Sequence, residues 1–169
     1  ARSVTLSTVG LVSGIEKLID EGIPVTLAVS LHTPDDELRD SLVPINTRWK
    51  VREVLVAADK YAAQTGRRYS IEYALIKDIN DHAWRADLLG RMLKGRDAHV
   101  NLIPYNTVEG LPWVRPSITR QDRFVKELRG LGVTATLRRE KGHDIDAACG
   151  QLRLKQETAE GIIAAPAKG

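Results

Sequence analysis

The chain holds one cysteine among its 169 residues. One thiol closes no internal disulfide, so a secreted disulfide scaffold is excluded and a reducing, cytoplasmic setting is expected. One cysteine with four histidines also falls short of a self-contained zinc site of the cysteine type. The histidines, His32, His82, His99 and His143, are scattered with no HxxxH spacing, and no metal ligands are expected within the chain. Mean hydropathy is −0.23, and no apolar run approaches the roughly 20 residues of a membrane helix. No membrane partner is expected, and no basic-then-apolar N-terminus reads as a signal peptide. Gly10 and Gly14 lack the GxGxxG or GKS/T context of a phosphate loop. No carboxylate pair stands out either: Glu72, in mid-strand, reads as a satisfied carboxylate and Asp78 as a turn residue.

What is present is the balance of a folded globular chain, 43% apolar and 28% charged. The length bounds it to one domain, or a domain plus a tail. Net charge is +3, and Arg outnumbers Lys by 16 to 9. Guanidinium forks suit phosphate and stack on bases, a weak pointer to nucleic acid. The chain opens at Ala1, not Met, with a strand-like run almost at once, so further sequence is expected N-terminal to it.

Strand-like and helix-like segments alternate. Strands are expected at Ser3 to Ser7, Pro24 to Leu31, Arg68 to Ile76, Ala98 to Ile103 and Val133 to Arg138. Pro24 to Leu31 is almost continuously apolar, as suits a strand covered on both faces. Helical spacing marks Gly14 to Glu21 and Val51 to Ala63. Thr33 is expected to cap a helix through Pro34 and three acids, Asp81 one running to about Lys94, and Thr119 one stopped near Gly132. The 107–118 loop carries Trp113. Such alternation implies an α/β fold with parallel strands and right-handed crossovers, whose ligands collect at the carboxyl ends of the strands.

The residues to interrogate therefore follow the strands: Ser7-Thr8, Ser30-Leu31-His32, Lys77-Asp78, Pro104-Tyr105-Asn106 and the loop ending at Cys149. Small hydroxyls, an amide and an imidazole suit a polar ligand such as an amino acid or a ribose. His32 reads equally as a capping or packing group and as a ligand contact. His82 reads as a solvated helix-start group and His99 as structural. Cys149 follows two alanines, which suits a small buried residue. Gly142 and Gly150 bracket it beside Asp144 and Asp146, which suits a loop nucleophile. Arg115, Arg120, Arg123, Arg138, Arg139 and Lys141 form either a phosphate-meeting cluster or a solvated basic face.

Five strings carry a family resemblance: Val4 to Thr8 (VTLST), Ser30 to Asn46 (SLHTPDDELRDSLVPIN), Ile71 to Asp81 (IEYALIKDIND), Val100 to Asn106 (VNLIPYN) and Gly142 to Leu152 (GHDIDAACGQL). On these the chain resembles the C-terminal portion of the RlmN-type dual-specificity RNA methyltransferases. These are radical S-adenosylmethionine enzymes that methylate C2 of adenosine in 23S ribosomal RNA and in transfer RNA. The resemblance implies the later part of a partial (β/α)6 barrel over residues 1–139, a catalytic cysteine loop over 140–152 and a tail over 153–169. It implies that Ser7, Ser30, Leu31, His32 and Asn106 line the S-adenosylmethionine site and that Cys149 is the methylated cysteine. Tyr105 stands where many relatives have Trp, an aromatic exchange that keeps the packing.

The implied mechanism answers a chemical difficulty: C2 of adenine is electron-poor and cannot attack a sulfonium methyl. The cysteine thiolate first takes that methyl by displacement. A 5′-deoxyadenosyl radical, made at a reduced [4Fe-4S] cluster, then removes a hydrogen from it, and the carbon radical adds to C2. A second cysteine resolves the adduct. The CxxxCxxC cluster motif, the resolving cysteine and the GEP-type strand are absent from these residues and are expected N-terminal to Ala1. The fragment alone is expected to bind no cluster and be inactive. Flavodoxin-type electron donation and a monomer are implied as well. The alternatives are an adenosine C8 methyltransferase of the antibiotic-resistance type and a silent half-barrel that binds RNA. An ordinary (β/α) lyase is disfavoured by the lack of an acid/base pair.

Overall fold

The computed structural model describes residues 4–139. The expected elements form, with shifted ends. They run β1 (Thr5–Thr8), α1 (Val12–Glu21), β2 (Thr26–Ser30), α2 (Asp36–Leu42), a 3₁₀ turn (Pro44–Thr47), α3 (Val51–Thr65), β3 (Tyr69–Leu75), α4 (Ala83–Leu93), β4 (Ala98–Pro104), α5 (Ile118–Gly130) and β5 (Thr134–Leu137). All five strands pair in parallel, in the order β1-β2-β3-β4-β5. Sequential order with right-handed crossovers keeps α1, α3, α4 and α5 on one side of the sheet. This is the connectivity of a β/α barrel wall rather than of a doubly wound sheet. No helix among the described residues is long and apolar enough to cross a membrane.

The two faces of the sheet differ because side chains alternate along a strand. One face sends Leu27, Val29, Leu31, Ile71, Tyr73, Leu75, Val100 and Leu102 into a core with α1, α3, α4 and α5. Nearly continuous apolar runs such as Leu27 to Val29 hide how polar the other face is. Register places Ser7, Ala28, Ser70, His99 and Thr134 in one row across it, and Ser30, Glu72, Asn101 and Thr136 in the next. A second, smaller core of Leu42, Val43, Ile76, Tyr105 and Trp113 sits among the loops that follow the strands. Trp113 meets Tyr105 edge-on at 5.6 Å, which pins the expected loop to the end of β4.

Three caps fall on other residues than expected. Asp35, not Thr33, caps α2 by accepting the Leu38 N–H at 3.2 Å, while the Thr33 hydroxyl donates to Asp35 and steadies it. His82, not Asp81, is the N-cap residue of α4, because Asp81 is taken by the Asp78 N–H and Arg120. Ser117, not Thr119, caps α5.

Tyr61 of α3 ties the helix layer to the start of β2. Its hydroxyl accepts the Val25 N–H at 2.9 Å and lies 2.8 Å from the Ile23 and Val25 carbonyls. Tyr61→Phe leaves a buried N–H and a carbonyl unpaired, so urea unfolding should register a loss of about 1–3 kcal/mol with the fold retained. An unchanged midpoint would show that water replaces the hydroxyl.

Candidate functional site

The site is assembled from the chain that leaves β2. Ser30 is the last residue of that strand, and Leu31 continues the pairing by donating its N–H to the Glu72 carbonyl at 2.9 Å. At His32 the backbone turns through a left-handed conformation, φ 64°, which a non-glycine residue adopts only when its surroundings hold it there. Two groups do so. The Asn80 side chain donates to the His32 carbonyl at 2.7 Å, and the Ala74 N–H donates to His32 Nδ1 at 3.0 Å. Asn80 also donates to the Ala74 carbonyl and accepts the Ile76 N–H, so one buried amide knits the ends of β2 and β3.

Beneath this turn lies Arg39, fully buried. Its guanidinium donates to the carbonyls of Val9 (2.7 Å), Ser30 (3.0 Å) and Leu31 (3.0 Å) and to Asn46 Oδ1 (2.9 Å). Burial lowers its pKa to about 10, a shift opposed by the nearby Asp36 and Asp40. Asn46 in turn donates to Asp40 at 2.7 Å, and Asp36 accepts the Val51 N–H. The residues of the long SLH-to-PIN string are thus bonded to one another in space. On the far side, Arg85 binds the Asp35 carboxylate at 2.8 Å. Burial works against ionisation of Asp35, yet bonds from Arg85 and Thr33 hold its pKa below the ordinary value.

Ser7 lies on the exposed edge strand β1, in the same row as Ala28, and Ser30 is buried. Leu31 has its side chain wholly in the helix-side core, so only its backbone can face a ligand. Asn106 lies beyond β4, and its Oδ1 accepts from Arg115 at 3.0 Å. Cys149 and His143 lie outside the described residues, as do the 140–152 loop and the 153–169 tail. Of the expected basic cluster, Arg120 pairs with Asp78 and Asp81 and Arg139 with Asp122, so the charge of these two is compensated, and Lys141 lies outside the described residues. His82 caps α4 half-buried, its Nδ1 2.7 Å from Arg85, rather than standing in solvent.

Sequence reading missed Arg39, Asn46 and Asn80. Their signal is a polar residue of fork or amide type beside strand ends that have carbonyls to satisfy. It also missed that Glu72, Asn101 and His99 share one face, which depends on register across three strands.

His32 is the most informative group. Its Nδ1 accepts a hydrogen bond, so Nε2 carries the proton of the neutral ring. That Nε2–H is buried with no partner among the described residues. A buried donor without an acceptor costs about 1–3 kcal/mol, which a ligand oxygen would recover. The site thus offers an unmet donor to a ligand that brings a hydrogen-bond acceptor. An iron–sulfur cluster does not fit: these clusters are held by several cysteine thiolates and the chain has one cysteine. No group of three or more His, Cys, Asp or Glu among the described residues could hold a metal ion.

Burial, reinforced by the charge of Arg39, lowers the His32 pKa to about 3. The unfolded chain protonates it below about 6.5 and the folded chain does not, so stability falls as pH drops from 6.5 towards 3. The slope is at most about 1.4 kcal/mol per unit for one proton. Urea unfolding at pH 7 and pH 5 should show His32→Gln losing about 2 kcal/mol less than the unsubstituted protein over that interval. Equal losses would mean that His32 is charged in the fold.

No protein-family profile matches the chain. It is 63% identical over 153 residues to the probable dual-specificity RNA methyltransferase RlmN of Thermobifida fusca, covering 89% of this chain and 41% of that protein. The protein of the same name from Streptomyces coelicolor is 58% identical over 155 residues, covering 92% and 42%. The crystal structure of a radical SAM methyltransferase from Sphaerobacter thermophilus matches with a TM-score of 0.80 at 49% identity, covering 89% of this chain and 44% of that one. The chain thus spans about two-fifths of the length of the curated relatives it matches.

Proposed function

The chain belongs to the RlmN family of dual-specificity RNA methyltransferases, and on that premise we propose that the protein it represents methylates C2 of adenosine in 23S ribosomal RNA and in transfer RNA. The observation that carries this reading is identity at 63% of aligned positions over 89% of the chain with a relative named a probable dual-specificity RNA methyltransferase. A cytoplasmic location, a monomer and a flavodoxin-type electron donor complete the proposal.

In this reading Cys149 is the methyl carrier. Its thiolate attacks the methyl carbon of S-adenosylmethionine; the C–S bond to the sulfonium breaks as the new thioether forms, and S-adenosylhomocysteine leaves. A relay is needed because C2 of adenine offers no lone pair to a methyl cation equivalent. Activation of the resulting S-methyl group is cofactor chemistry, with cluster ligands outside this chain. Ser7, Ser30, His32, Asn106 and the backbone of Leu31 would hold S-adenosylmethionine. The neutral His32 Nε2–H supplies a donor whose charge state does not change near neutral pH. The target base must leave its stack to be reached.

The test uses the full-length enzyme and nucleoside mass spectrometry of ribosomal and transfer RNA from cells lacking and regaining the gene. The reading expects 2-methyladenosine to appear with the native protein and to vanish with Cys149→Ala. 8-Methyladenosine in its place, or undiminished 2-methyladenosine from Cys149→Ala, would contradict it.

A further inference from the structure

Glu72 is the only carboxylate in the five strands and His99 the only imidazole, and the proposed chemistry uses neither. Both belong to the sheet face opposite the helices, where they join one polar network. Glu72 Oε1 accepts from Ser70 Oγ at 2.9 Å and from Asn101 Nδ2 at 3.0 Å. Asn101 Oδ1 lies 3.2 Å from His99 Nε2, which is also 3.0 Å from Thr136 Oγ1. Because the Asn101 amide NH₂ is committed to Glu72, its oxygen faces His99, and His99 Nε2 carries the proton. Asn101 thus donates to Glu72 and accepts from His99, whose Nε2–H is shared with Thr136 Oγ1.

No bond to Glu72 Oε2 and no cation on the carboxylate are found among the described residues. A half-buried carboxylate accepts and cannot donate, so what completes it must bring hydrogen-bond donors. Register sets Ser30, Glu72 and Asn101 side by side. With strands about 4.8 Å apart, that row spans about 10 Å, the extent of a nucleoside.

We propose that Glu72 binds the vicinal ribose hydroxyls of S-adenosylmethionine, oriented for that task by Ser70 and by Asn101, whose amide is itself held by His99. The inference rests on the methyltransferase reading. A carboxylate suits a diol, since its oxygens can accept from neighbouring hydroxyls. Within an RNA strand the 3′ oxygen is esterified and only the 2′-hydroxyl is free, so an intact diol belongs to the methyl donor rather than to the target nucleotide.

The experiment is calorimetric binding to the full-length enzyme with its cluster intact. S-adenosylmethionine and S-adenosylhomocysteine should each bind Glu72→Gln at least tenfold more weakly than the native enzyme. Because that variant can also misfold, 3′-deoxy S-adenosylhomocysteine is titrated into the native enzyme and should show a comparable loss. Native enzyme that binds the 3′-deoxy analogue and its parent within twofold of each other overturns the proposal. Weaker binding of S-adenosylmethionine alone by Glu72→Gln overturns it in favour of a charge contact to the sulfonium. Weakened RNA binding with donor affinity intact overturns it in favour of the target nucleoside. If the native enzyme binds neither donor nor product, the functional reading fails with it.

Discussion

A single guanidinium holds the carboxyl-terminal end of strands β1 and β2 together. Arg39 comes from α2, yet its bonds end on the exits of two strands and on the 3₁₀ turn. Those carbonyls lie at or just beyond the last pairs of the ladder, where a buried carbonyl needs a donor from outside the sheet. Arginine suits the place because its donors spread in a fixed plane, and a lysine ammonium cannot reach as many acceptors from one position. The cost of burying the charge is met by the four acceptors and by Asp36 and Asp40 nearby.

That anchor has consequences for the site. With Ser30 and Leu31 fixed from below, His32 can be turned into its left-handed conformation and locked by Asn80 and the Ala74 N–H. The outcome is a ring of fixed tautomer at the end of β2. Beside it, the polar rows of the sheet are left free of α1, α3, α4 and α5, which pack on the opposite face. The fold thus separates two tasks. The helix-side core supplies rigidity, and the other face supplies hydroxyls, amides and one carboxylate at the spacing of the strands.

Much of this architecture was legible from the order of residues. Apolar runs such as Pro24 to Leu31 and stripes such as Val54, Leu55, Ala58 and Ala62 mark strands and helices because burial leaves its period in the chain. The caps were less legible: Thr33, Asp81 and Thr119 are all good cap types, and the choice went to neighbours once Asp35 met Arg85 and Asp81 met Arg120. Leu31 shows another limit. Ser30 before it belongs to the polar row with Glu72, but alternation turns its own side chain into the core. Glu72 and His99 looked unremarkable singly, since two residues on different strands share a face only through register. The Cys149 assignment came from the family string and lies beyond the described residues.

The most direct measurement is the unfolding free energy of Arg39→Lys, from urea melts of the complete protein. Loss of the planar fork should strand at least two buried acceptors and lower stability by about 2–4 kcal/mol. A variant within about 0.5 kcal/mol of the native protein, the range of an ordinary surface substitution, would show that the strand exits do not depend on the buried guanidinium.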